Sequence, residues 1–125
     1  MDRYTLQPKK AARAGGVGSR VSRKSSVIVC KSINNMPLVK GKKLLQDYIA
    51  EKRSIEGRFY TTISTRLLEL IGSAEQNAQS QGLNAERLFI RASAHRGFTF
   101  STPRRFKLRG RQRKVANLQV VLEQR

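Results

Sequence analysis

Apolar positions recur along this chain with two periods, and the change from one to the other divides it. Pro37 suits a helix start, and Leu38, Gly41, Leu45, Tyr48 and Ile49 recur at helical spacing to about Lys52. Lys40, Lys42, Lys43, Asp47 and Glu51 fall on the polar face. Asp47 and Glu51 then read as surface neighbours of Lys43 and Lys40, not as a catalytic pair. After a break at Gly57, a longer helix is predicted from about Thr62 to Gln81. Its stripe is Ile63, Leu67, Leu70, Ile71, Ala74 and Ala78, with Gly82 as a left-handed terminator and Leu83 closing over it. Beyond Glu75 its polar face carries only Gln, Asn and Ser, which suggests contact with something other than bulk water.

The period then drops to two. Leu88, Ile90, Ala92 and Ala94 alternate with Phe89, Arg91, Ser93 and His95, and Leu118, Val120 and Leu122 alternate with Gln119, Val121 and Glu123. Two strands are predicted, each with one apolar face. The roughly twenty residues between them exceed what a tight turn needs and what a small domain tolerates as structureless loop. Either that connection is functional or the strand assignment fails.

The N-terminal part is less legible. Val27, Ile28 and Val29 favour a strand, whereas Ser25 and Ser26 could cap a short helix ending near Asn34 and Asn35. Pattern alone leans to strand. Residues 1–24 are small, basic and glycine-rich, too poor in apolar side chains to fold alone, and read as an extension that orders on a partner. Their GGVG run lacks the Gly-Lys-Ser/Thr spacing and the preceding apolar strand of a phosphate loop.

Charge changes this picture more than composition does. The 125 residues hold 26 Lys+Arg against 8 Asp+Glu, a net charge of +18. Residues 1–24 carry +6, 25–57 carry +3, 58–94 carry +1 and 95–125 carry +8. Internal pairing cannot neutralise such ends, so a polyanion is expected, nucleic acid before a membrane surface or an acidic protein. No apolar run approaches the ~18 residues of a membrane span, and no signal-peptide core opens the chain. A soluble intracellular protein without membrane insertion is expected.

Seven cations and no carboxylate occupy the eleven residues from Arg104 to Lys114. If this stretch were extended, Arg105, Lys107, Arg109, Arg111 and Arg113 would form a comb about 6.6 Å apart, close to the phosphate spacing of a nucleic-acid strand. Phe106 and Leu108 would face the other way until Gly110 bends the path. Arginine outnumbers lysine five to two here, and its planar fork favours folded RNA over lipid. Like charges leave nothing internal to fix a conformation for this stretch.

Enzyme chemistry has no support in the pattern. His95 has no acid or nucleophile beside it, and the single Cys30 permits neither an intrachain disulfide nor a zinc cluster. Cys30 reads as a small buried apolar residue. No catalytic residue, metal or cofactor is expected.

The run GSAEQNAQSQGLNAERLFI, residues 72–90, resembles the signature of the large-subunit ribosomal protein family numbered twenty-two in bacteria and seventeen in older eukaryotic naming. Ala74, Glu75, Asn77, Ala78, Gly82, Leu83 and Leu88 carry the match. MDRYTLQP is similar to the family's eukaryotic opening, and PRRFKLRGR to its Arg-rich hairpin tip. The resemblance implies an α+β fold, three helices on a small three-stranded antiparallel sheet, with a long projecting β-hairpin and a basic N-terminal extension. It places the extension at 1–18, one globular domain at 19–125 with the hairpin loop at 97–117, a first strand at Arg20 to Lys24 and a helix at Ser25 to Asn34.

The function it implies is a structural constituent of the large ribosomal subunit, in the cytoplasm, with nucleolar assembly in a eukaryote. Expected partners are ribosomal RNA, neighbouring large-subunit proteins and the nascent polypeptide, and no homo-oligomer. RNA contact is expected from Lys9, Lys10, Arg13, Arg20, Arg23, Lys24, Arg96, Arg104, Arg105, Lys107, Arg109, Arg111, Arg113 and Lys114. Exit-tunnel exposure is expected from Arg105, Phe106, Lys107, Leu108, Arg109 and Gly110. Against eukaryotic relatives the chain lacks an insertion around Glu56 to Arg58, shortens the connection between Arg111 and Leu118, and ends without a long charged tail, which suggests a reduced ribosome. The alternatives are a free chromatin-type nucleic-acid binder and a basic membrane-surface protein. Residues 72–90 argue against the first; against the second, the cations of 104–114 form an extended comb rather than the polar face of a helix with bulky apolar residues opposite.

Overall fold

The computed structural model describes Tyr4 and residues 6–125, so half of the MDRYTLQP opening, Met1 to Arg3 and Thr5, lies outside the described residues. Strand β1 (Ala11–Ser19) leads into helices α1 (Arg23–Ile33), α2 (Leu38–Ile49) and α3 (Thr61–Ser80), then strands β2 (Leu88–Ser101) and β3 (Gln112–Gln124). The sheet is antiparallel in the order β1-β3-β2, with the last strand in the middle. This is the expected α+β class with three helices and three strands.

One sheet face makes the core. Ala12, Ala14, Leu118, Val120, Leu122, Leu88, Ile90 and Ala92 join Val29, Cys30, Ile33, Leu38, Leu45, Tyr48, Ile63, Leu67, Leu70, Ile71, Ala74 and Ala78 from the helices. The α2 and α3 stripes are buried as expected, except Ile49, which stays partly exposed. At the end of α3, Gly82 takes φ +72° and donates to the Gln79 carbonyl, while Leu83 donates to that of Ala78. This paired bonding satisfies the last carbonyls of the helix and folds Leu83 back onto the core, which is why a glycine stands there. The Lys42–Glu75 ion pair ties α2 to α3. Asp47 forms an ion pair with Arg53 at 3.7 Å.

Of three expectations for the N-terminal half, the helix implied by the resemblance holds and the other two need correction. Val27 to Val29 lie in a helix, as the resemblance implied and the pattern did not: Ser22 caps α1, accepting from the Ser25 N–H. Arg20 to Lys24 do not form the first strand, since Arg20 to Ser22 turn the chain into α1 and Arg23 and Lys24 open it. The first strand lies inside the stretch read as an extension. Ala11 pairs with Glu123 and Gly16 with Leu118, Ala12 is fully buried, and Asn77 of α3 donates to the Arg13 carbonyl at 2.9 Å. The expected boundary at residue 18 therefore cuts through β1. Small Ala and Gly side chains let this strand sit close beneath α3, and their smallness hid it from a hydrophobicity pattern.

Candidate nucleic-acid interface

Beyond the core, β2 and β3 continue as a two-stranded arm, pairing from Leu88↔Gln124 out to Ser101↔Gln112. The unusually long connection between the predicted strands is thus mostly strand. Past Arg96 and Ala116 the arm leaves the helices, and from 98 to 114 only Thr102 and Leu108 are half-buried. Polar side chains suit both faces there, so no alternation marked the strand ends.

The arm leaves the core at two bulges. On β2 the register steps three residues, Arg96 to Thr99, against two on β3, and on β1 it steps from Gly16 to Ser19 opposite the same part of β3. The Gly18 N–H donates to Asn117 Oδ1 at 3.1 Å. Bulges increase local twist and re-aim side chains, so this double irregularity marks where the arm departs from the sheet.

The tip is folded, contrary to expectation. Phe106–Leu108 form one 3-10 turn. The Thr102 hydroxyl lies 2.7 Å from the Leu108 carbonyl and 3.2 Å from that of Arg111, and the Leu108 N–H donates to the Arg105 carbonyl at 2.9 Å. This hydroxyl, donating to one or other of the two carbonyls, closes a loop of five cations, from Arg104 to Arg111, that charge alone would open. The same turn breaks the period-two comb, because extended spacing does not survive a 3-10 segment. Arg104, Arg105, Lys107, Arg109, Arg111 and Arg113 are all exposed around a compact knob, Phe106 is 89 % exposed, Leu108 is half-buried and Gly110 exposed.

The remaining candidates form a second group at the arm's base. Arg20, Arg23, Lys24, Arg96 and Lys114 line one cavity of about 520 Å³ together with Val21, Ser22 and Val115. Arg20 Nη1 donates to the Lys114 carbonyl at 2.8 Å, in the place where β1 has ended and can no longer pair with β3. Lys9 and Lys10 are exposed just before β1. Arg13 differs: half-buried, it donates to the Pro8 carbonyl and lies 6.0 Å from the centre of the Tyr4 ring.

Among the described residues, the ion pairs Lys42–Glu75, Arg53–Asp47, Arg66–Glu69 and Arg125–Glu123 use none of these fourteen cations. None of these pairs neutralises the positive charge at either end of the arm. Sequence reasoning passed over Phe98 and Phe100, which are 58 % and 38 % exposed beside the basal cations. Their signal was the i, i+2 spacing in FTF next to Arg96.

His95 lies 3.2 Å from the Ser93 hydroxyl, and burial pushes the Cys30 thiol up to about 12. A thiol so shielded is a poor nucleophile at neutral pH. Among the described residues no group of His, Cys, Asp or Glu is placed to hold a metal ion, and no helix is long and apolar enough to cross a membrane.

A small α+β domain extending a cation-loaded, acid-free arm has the build of a structural ribosomal protein. The chain belongs to the family described as ribosomal protein L22p/L17e, whose model matches residues 14–121. Relatives named large ribosomal subunit protein uL22 match along most of the chain. That of Methanocaldococcus jannaschii is 31 % identical over 98 % of this chain and 94 % of its own. That of Methanococcus aeolicus is 31 % identical over 94 % and 92 %, and that of Methanosphaera stadtmanae 31 % over 82 % and 83 %. The protein is thus a structural, non-enzymatic constituent of the large ribosomal subunit.

Proposed function

We propose that this chain binds large-subunit ribosomal RNA through its two cation groups, and that the tip of the arm, Arg105 to Gly110, lines the polypeptide exit tunnel and meets the nascent chain. The observation that carries the reading is the arm itself: a folded knob on a two-stranded stalk, with seven cations from Arg104 to Lys114, none of them in an ion pair with a described residue. A stalk of this kind can pass between RNA segments while phosphates neutralise it on all sides. The globular part, with β1 inside it, docks as one unit against RNA and neighbouring large-subunit proteins, and each subunit takes one copy. The site of action is the cytoplasmic ribosome, with nucleolar assembly if the source is eukaryotic.

The test is binding of the purified chain to large-subunit RNA fragments across a salt series. Contact with roughly six to ten phosphates lowers affinity by about 10³ to 10⁵ between 50 and 200 mM salt. A salt slope near zero, or a tagged chain that fails to co-sediment with large subunits at moderate salt, overturns the reading.

A further inference from the structure

Two exposed aromatic rings stand at the base of the arm, where the proposed function so far asks only for cations. Phe98 and Phe100 are 6.2 Å apart between ring centres and tilted by 47°. Phe98 lies against the backbone of Gly18, where an added Cβ would come within 3.2 Å of its Cε1, and the neighbouring Val17 is 69 % exposed. The Arg20 guanidinium sits 5.4 Å from the centre of the Phe100 ring. Arg20 also lines the basal cavity with Arg23, Lys24, Arg96 and Lys114, and no acid lines it. One side chain therefore joins an aromatic surface to an anion-attracting cleft.

We propose that the base of the arm seats a single unstacked nucleotide of the RNA. The face formed by Phe98 and Phe100 takes the base, and the basal cavity takes the adjoining phosphates. This rests on the reading that the partner is RNA. Water leaves aromatic faces unsatisfied, and a protein that keeps two rings exposed beside a dense cation cluster offers what a splayed-out nucleotide needs: a π-surface for the base and donors for the phosphate. An apolar protein partner would have to bury five cations of the same cleft without supplying charge, which the lack of an acid in its lining makes costly. The bulge after Arg96 adds one residue to β2 next to these rings and so resets which side chains face the strip.

The experiment uses the full chain and short single-stranded RNA carrying 2-aminopurine, whose fluorescence is quenched on stacking. Wild type is expected to quench it and to prefer single-stranded over duplex RNA of equal length. Phe98→Leu and Phe100→Leu should each weaken binding by about tenfold with the salt slope unchanged, and Phe100→Trp should retain the quench. Arg96→Gln with Lys114→Gln should keep the quench but flatten the salt slope by about 0.7 for each phosphate that the variant no longer neutralises. Unchanged affinity and quench in both Phe→Leu variants overturn the nucleotide seat while leaving RNA binding intact. Failure of wild type to bind RNA at all overturns the underlying reading instead. Should the leucine variants fold poorly, crosslinking of 4-thiouridine RNA to wild type decides. Adducts at 98–100 support the seat, and adducts confined to 104–113 refute it, as expected of a protein-docking patch.

Discussion

Gly41 and Gly72 stand inside helices of the same domain, and replacing each with alanine should move stability in opposite directions. In a helix interior, glycine to alanine contributes about 1 kcal/mol through lower backbone entropy in the unfolded chain. At Gly72 an added Cβ meets nothing within 4 Å, so the whole gain should appear, a rise in Tm of about 4 °C. At Gly41 the new Cβ would lie 2.3 Å from Ile90 Cδ1 and 3.6 Å from its Cγ1. Ile90 is fully buried in the sheet face beneath α2, so its end cannot swing into solvent. Either α2 lifts off the sheet or Ile90 leaves its rotamer, and overpacking of this kind costs about 1 to 3 kcal/mol. That equals or exceeds the propensity gain, and Gly41→Ala should lower stability by up to about 2 kcal/mol. Chemical denaturation of the full chain, in sulfate to relieve charge repulsion, measures both variants. Ile90→Val removes the clashing methyl, so the Gly41→Ala and Ile90→Val pair should couple favourably by about 1 to 2 kcal/mol in a double-mutant cycle. If Gly41→Ala stabilises as much as Gly72→Ala, or the cycle shows no coupling, the packing argument is wrong.

Cys30 gives a pH-dependent prediction. The unfolded thiol ionises near 9 while burial holds the folded thiol protonated to about 12. The native state therefore binds more protons in that window, and its stability falls as pH rises through it, by up to about 1.4 kcal/mol per pH unit. The difference between wild type and Cys30→Ala should be flat below pH 9 and slope above it; a difference that stays flat to pH 11 contradicts the burial. The Ser64 hydroxyl is buried without a partner on α3 among the described residues, so Ser64→Ala should raise Tm by the equivalent of about 1 kcal/mol, whereas a loss would reveal a bond to the hydroxyl. Thr102→Val removes the hydroxyl that closes the arm's tip and should expose 103–111 to trypsin without changing global Tm. Unaltered cleavage kinetics would show that the 3-10 turn holds itself.

What was legible in the sequence follows where side-chain size carried the signal. Helices α2 and α3 announce themselves through Leu45, Leu67 and Ile71, large apolar side chains at helical spacing, and Gly82 marks its own terminus. Strand β1 did not, because Ala12, Ala14 and Gly16 bury backbone more than side chain and score as a flexible basic tail. For α1, Val27, Ile28 and Val29 pull toward strand by propensity, but the Ser22 cap and the burial of Val29, Cys30 and Ile33 at helical spacing favour the helix that the resemblance implied. The cations of the interface were visible as composition, but their arrangement was not. Alternation predicted a comb, whereas the Thr102 hydroxyl and the turn at Phe106 gather the arginines round a knob. Phe98 and Phe100 were overlooked because exposed aromatics look like core until the strand's face is known.

The position of β3 in the middle of the sheet has a consequence for the order of folding. Residues 112–124 are the last of these elements to be synthesised, yet β1 and β2 touch the sheet mainly through them. The bond from Gly18 to Asn117 alone spans 99 positions. Until that final strand is made, Ala12 and Ala14 have no strand to pair with, and α3 lacks the sheet centre on which it lies. Long-range closure of this kind is slow and leaves apolar faces open to aggregation. A copy of residues 1–111 therefore leaves β1 and β2 without the strand that joins them, with Ala12, Ala14 and Ile90 lacking their partners across the sheet.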